Sequence, residues 1–158
     1  MKAFFKAFLG FFATLAVFGI ILVFAVNSFF SNNLSKREII KLVNTHSDII
    51  LADIEEDNFE DTLSIKGITD IRVNDVVDVH CGGKGFGSQT AYYGFYYISD
   101  DKPMVMFNGY VANVSNGDFV AEDNGFSYTE RHGDGTLSDN TYYTEKIVPN
   151  FYYYERHF

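Results

Sequence analysis

The sequence predicts an α+β protein: an N-terminal transmembrane helix, then one amphipathic helix packed on a twisted antiparallel β meander of six to eight strands. Three observations carry this. No charged residue occurs between Ala7 and Ser35. A helix start followed by apolar residues at 3.6-residue spacing occupies the next twenty positions. From there to the end, short β-prone runs alternate with turn residues.

The apolar segment comes first. Thirteen of the nineteen residues Phe8–Val26 are Leu, Ile, Phe or Val. At about 1.5 Å per residue they span roughly 30 Å, the thickness of a hydrocarbon core. Their side chains favour insertion by very roughly 4–8 kcal/mol. A cleaved signal peptide is the rival reading, with Lys2 and Lys6 as its basic start, but its apolar core runs only about 7–15 residues. Residues 7–26 are therefore expected to be a retained anchor, with membrane as partner. Lys2 and Lys6 precede the span, whereas Lys36 and Arg37 lie well beyond it beside Glu38. That bias places the amino terminus in the cytoplasm and the C-terminal domain outside a cell membrane. The expected division is 1–33 for anchor and linker and 34–158 for an extracytoplasmic domain.

Charge and cysteine content narrow the class. Beyond residue 33 the chain has ten basic residues against all 21 acids, a net charge of −11. Such a body repels nucleic acid and anionic headgroups, so no nucleic-acid partner is expected. The single Cys, Cys81, forms no internal disulfide. A domain of about 120 residues can bury enough core without one, and an exported bacterial protein fits this best.

Ser35-Lys36-Arg37-Glu38 has the form of a capping box. Ile39, Leu42, Val43, His46, Ile50 and Ile54 then recur on one face, predicting a helix over 36–55. Strands are predicted at 68–73, 76–81, 90–98, 104–110, 119–121, 126–131, 141–148 and 151–157. Asn74-Asp75, Gly82–Ser88, Asp100–Pro103, Asn116–Asp118, Asp123–Gly125 and Gly133–Gly135 supply the turns between them.

The glycine-rich stretch Cys81–Tyr97 is the most unusual. A triphosphate-binding loop would need Gly at position 78, where Asp stands, and a dinucleotide loop would need Gly at 88, where Ser stands. The segment leads into a strand, so Gly82–Gly87 reads as a β connection. Cys81 continues the stripe Val77–Val79 and reads as a buried small hydrophobe, with Asp78 and His80 on the wetter face. No pair of histidines has ligand spacing, and 132–140 does not match a calcium loop, so no metal and no cofactor is expected and no catalytic residue is assigned. The aromatics say more. With 17 Phe and 11 Tyr, the strands at 91–98 and 151–158 are aromatic on both faces. One helix covers one face of a sheet. The second face must curl on itself or remain a tyrosine platform, and Tyr92, Tyr96, Tyr152 and Tyr154 are the candidate binding residues on that face.

Ser64–Ile68, Cys81-Gly82-Gly83-x-Gly85, Tyr93–Tyr97 with Asp100-Asp101, Tyr142–Ile147 and Phe151–Glu155 resemble a group of small uncharacterised membrane-anchored proteins of Gram-positive anaerobic bacteria. The resemblance covers most of the body and implies a location in the envelope, not an activity. The expected function is a membrane-anchored extracytoplasmic binding or interaction domain rather than an enzyme. Its expected partner is a cell-envelope polymer, a peptide or a membrane protein. The alternatives are a Cys- or His-dependent envelope enzyme and a pilin-like filament subunit. The latter lacks the Glu that such helices carry at the fifth mature position, where this chain has Leu15.

Overall fold

The computed structural model describes residues 17–21, 33–86, 89–107, 110–111 and 118–158. The chain divides into two compact units, Met1–Asn32 and Asn33–Phe158. In the first, residues 17–21 are helical, with Val17, Phe18, Ile20 and Ile21 exposed. The rest of the expected anchor lies outside the described residues. Among the described residues no helix is long and apolar enough to cross a membrane.

The second unit opens with helix α1, Lys36–Glu56. Its start is the expected capping box: Ser35 Oγ accepts from the Glu38 amide at 3.4 Å, and Glu38 Oε2 accepts from the Ser35 amide at 2.8 Å. Ile39, Leu42, Val43 and Ile50 form the buried face. Asp57 ends the helix in the left-handed region, φ 51°, and its amide donates to the Asp53 carbonyl. A second short helix, α2, Glu60–Ser64, went unforeseen. The buried carboxylate of Asp53 anchors it by accepting from the Thr62 amide at 2.7 Å.

Among the described residues nine strands follow: β1 Asp70–Val73, β2 Val77–Phe86, β3 Gln89–Tyr97, β4 Met106–Phe107, β5 Tyr110–Val111, β6 Asp118–Ala121, β7 Phe126–Arg131, β8 Leu137–Val148 and β9 Phe151–His157. Seven make one antiparallel sheet in the order β1-β2-β3-β9-β8-β7-β6. This corrects the expected meander, because the last strand slots between β3 and β8. The run expected at 104–110 does not join this sheet; β4 and β5 form a separate two-stranded ladder. The β8–β9 connection is a two-residue turn. Pro149 presets its first φ, and Asn150 takes the positive φ of 69° that a type II turn needs next.

The sheet has two apolar faces. On the first, Val77, Val79, Cys81, Phe95, Phe151 and Tyr153 pack under α1. On the second, Val76, Tyr96, Ile98, Tyr152 and Tyr154 pack with Met104, and Tyr128, Tyr142 and Val105 with Phe158. The segment Ile98–Val105 folds back over this second face and hydrogen bonds hold it there. Tyr96 Oη accepts from the Met104 amide at 2.8 Å, and Tyr152 Oη donates to the Asp101 carbonyl at 2.7 Å. The Asp101 carboxylate accepts from the Asn150 amide at 2.8 Å and pairs with Lys146 at 2.5 Å. Asp101 itself stands at φ 55°, a strained conformation for a residue other than glycine, which those bonds sustain.

Candidate functional site

The structure brings Tyr96, Tyr152 and Tyr154 together as expected, but inside the protein. Their exposures are 0%, 3% and 3%, and the rings of Tyr96 and Tyr152 stack at 5.3 Å. Tyr92 is 40% exposed and meets Phe158 edge-on at 6.0 Å. The open tyrosine platform is therefore corrected: the Ile98–Val105 segment bonds to Tyr96 and Tyr152, and Tyr154 is buried against Arg156 and His80. Their hydroxyls are held as phenols, with burial pushing Tyr96 up to about 12.

Beside these rings lies a buried polar group that local sequence reasoning missed. Asp78, expected on a wetter face, is fully buried, and Arg156 and His80 are buried with it. Asp78 Oδ2 stands 3.2 Å from Arg156 Nη2 and 3.2 Å from His80 Nε2. Arg156 Nη2 also donates to Tyr154 Oη at 2.7 Å, and its guanidinium carbon lies 4.3 Å from the Tyr154 ring centroid. Burial pushes the Asp78 carboxyl up, but the His80 hydrogen bond and the Arg156 charge outweigh it and hold the carboxyl below its ordinary value. Gly94 makes the cluster geometrically feasible. It stands between His80 and Tyr154 in register, and a Cβ there would lie 2.7 Å from Tyr154 Oη and 2.1 Å from the Val79 carbonyl oxygen. Its missing side chain is the space through which Tyr154 reaches across β3. Spacing offered one signal, since Asp78/His80 and Tyr154/Arg156 are each i, i+2 pairs that share a strand face.

Cys81 takes the place expected of it, at 0% exposure in the core under α1. Burial, followed by the charge of Asp78, pushes its thiol up to about 12, so it is protonated at neutral pH. A thiolate nucleophile gains nothing from this setting. Among the described residues no three His, Cys, Asp or Glu side chains converge as metal ligands.

The accessible polar site lies on the other side of the sheet, at the amino end of α1. A cavity of about 360 Å³ is lined by Ser35, Lys36, Lys84, Tyr93, Tyr153 and Glu155, among others. A second, of about 620 Å³, is bordered by Lys84, Gln89, Thr90, Asp139, His157 and Phe158. Lys84 lines both, so the cleft comprises two neighbouring cavities along the ends of β2, β3 and β9. Its ammonium lies 5.5 Å from the Tyr93 ring centroid, and contact with Tyr93 is the main cause of its raised pKa. Among the described residues Lys84 has no carboxylate at ion-pair distance. Glu155 accepts from Tyr153 Oη at 2.5 Å and stands 3.4 Å from His157 Nε2.

The glycine-rich stretch forms one wall and explains its own composition. The Asn33 carboxamide pairs with the open edge of β2 as a peptide group would: Nδ2 donates to the Gly83 carbonyl at 2.7 Å, and Oδ1 accepts from the Gly83 amide at 3.1 Å. Gly82 is at φ 146°, and a Cβ there would fall 2.5 Å from Asn33 Oδ1. The stretch is thus a strand edge pared down to seat the segment that leads into α1. Comparison with known proteins finds no family model, no curated protein and no solved structure that matches this chain.

Proposed function

We propose that the chain is a single-pass binding protein, anchored through residues 7–26 with its domain outside the cell membrane, and that the cleft at the amino end of α1 is its binding site. The cleft carries this reading. It gathers two ammonium groups, three carboxylates, a histidine and tyrosine rings around accessible space, whereas Tyr96, Tyr152 and Tyr154 are buried. Such a lining suits the polar groups of an envelope polymer or peptide. The uncharged N-terminal run and the acidic body support anchoring and export and disfavour nucleic acid.

Two measurements test it. Protease added to intact cells should remove a C-terminal tag, and a tag that survives until lysis refutes the orientation. Full-length protein in nanodiscs should bind peptidoglycan fragments by calorimetry, and Lys84→Ala should weaken that binding without lowering the melting temperature. Equal binding by wild type and Lys84→Ala refutes the site.

A further inference from the structure

We propose that Tyr143, Tyr153 and Glu145 form a recognition site for an aliphatic primary amine, which the chain's own Lys36 occupies as a tethered stand-in. The inference rests on the cleft being a binding site and names the group that its ligand carries. Lys36 Nζ lies 4.5 Å from the Tyr143 ring centroid and 5.4 Å from that of Tyr153. The two rings, 6.4 Å apart and inclined at 60°, form an open V. Aromatic faces attract cations, and the attraction strengthens as water is excluded. Glu145 Oε2 closes the third side at 2.5 Å from the ammonium, and Tyr143 Oη accepts from it at 3.3 Å. Tyr143 Oη in turn donates to Glu145 at 2.6 Å, which fixes both acceptors.

Two features mark Lys36 as replaceable. It is the first residue of α1, yet Ser35 and Glu38 make the cap, and Ile39, Leu42, Val43 and Ile50 make the packed face. Its side chain is 39% exposed, and it borders the 360 Å³ cavity from which a ligand would enter. It can swing out while the helix stays in place. The two acceptors around its ammonium call for a cation with at least two N–H donors, and the slim stem of Lys36 is that of a primary amine. A quaternary ammonium would satisfy the rings but donate nothing to Glu145 or to Tyr143 Oη, leaving Glu145 only the Tyr143 hydroxyl. A lysine-like side chain on a peptide has the required chemistry.

The test uses the full chain in micelles, with Lys36→Ala to vacate the site and n-butylamine as probe at neutral pH. Butylamine should raise the melting temperature of Lys36→Ala saturably. It should bind wild type about tenfold more weakly, as expected if Lys36 fills the site roughly nine-tenths of the time. Tetramethylammonium and sodium chloride at equal ionic strength should do less, and adding Glu145→Gln should abolish the butylamine effect. If Lys36→Ala does not fold, Lys36→Gln serves instead. The proposal is overturned if butylamine acts no differently from sodium chloride, or acts equally on wild type and variant. Peptidoglycan fragments binding wild type with no butylamine effect on the variant would keep the cleft and overturn the amine site. A butylamine effect without fragment binding would sustain the amine site alone.

Discussion

Replacing Arg156 by Met tests the buried polar cluster most sharply. Arg156 is 2% exposed and Asp78 0%, so the substitution leaves a carboxylate inside the protein with only His80 and the Tyr154 hydroxyl beside it. Breaking a buried pair from one side costs about 3–5 kcal/mol, because the surviving charge is uncompensated. Domains of this size are stable by about 5–15 kcal/mol, so the variant should be marginal at neutral pH. Its pH dependence should also reverse. In wild type the Asp78 carboxyl is held below its ordinary value, so its stabilisation is present above the unfolded pKa and fades as pH falls through the folded one. Without Arg156, burial dominates and raises that pKa. Stability should then fall as pH rises through about 4–6, where the unfolded carboxyl ionises and the buried one resists. Asp78→Leu with Arg156→Met removes both charges and should recover most of the loss. The assay is urea unfolding of the full chain in micelles, followed by tyrosine circular dichroism since the chain has no Trp. A loss under about 1 kcal/mol for Arg156→Met, or a double variant as unstable as the single, would refute the reasoning.

Three further outcomes follow from particular contacts. Gly94→Ala should cost about 3 kcal/mol or more in the same unfolding assay, because its Cβ meets a backbone carbonyl that cannot move aside; a smaller loss means that β2 and β3 can separate there. Cys81 should resist a thiol reagent at pH 8 until urea unfolds the chain, and labelling at the rate of a free thiol would contradict its burial. Asp101→Ala removes the bonds to Asn150 and Lys146 that hold the Ile98–Val105 segment down, so the variant should bind a hydrophobic dye over Tyr96 and Tyr152 that wild type excludes. Unchanged dye binding would show that packing and the hydrogen bonds of the Tyr96 and Tyr152 hydroxyls hold the segment without the Asp101 carboxylate.

Local patterns made α1 legible from sequence. Ser35 and Glu38 announce the helix, and Ile39, Leu42, Val43 and Ile50 set its face, all within a few turns of one another. The Val77–Val79–Cys81 stripe was equally readable, because alternation needs only the strand itself. What failed to show was tertiary. Alternation places Tyr96, Tyr152 and Tyr154 on one face, but whether that face is open depends on Ile98–Val105 returning over it. Asp100-Asp101 looks like any exposed turn until Asp101 meets Asn150 and Lys146, 49 and 45 residues further on. The position of β9 between β3 and β8 is also invisible locally, since Tyr97 against Phe151 is a pairing of two aromatic runs among several that alternation allows. The cleft depends on all of this, because Lys36, Lys84, Tyr93 and Tyr153 come from four separate elements.

The most direct test of the cleft is carbon NMR of ¹³C-tyrosine-labelled full-length protein in nanodiscs, titrated with peptidoglycan fragments. The signals assigned by substitution to Tyr93, Tyr143 and Tyr153 should shift together and saturably, with Tyr92 and Tyr128 unmoved. Saturable shifts confined to Tyr92, or fragments that leave every tyrosine unchanged at millimolar concentration, would contradict a binding site at the amino end of α1.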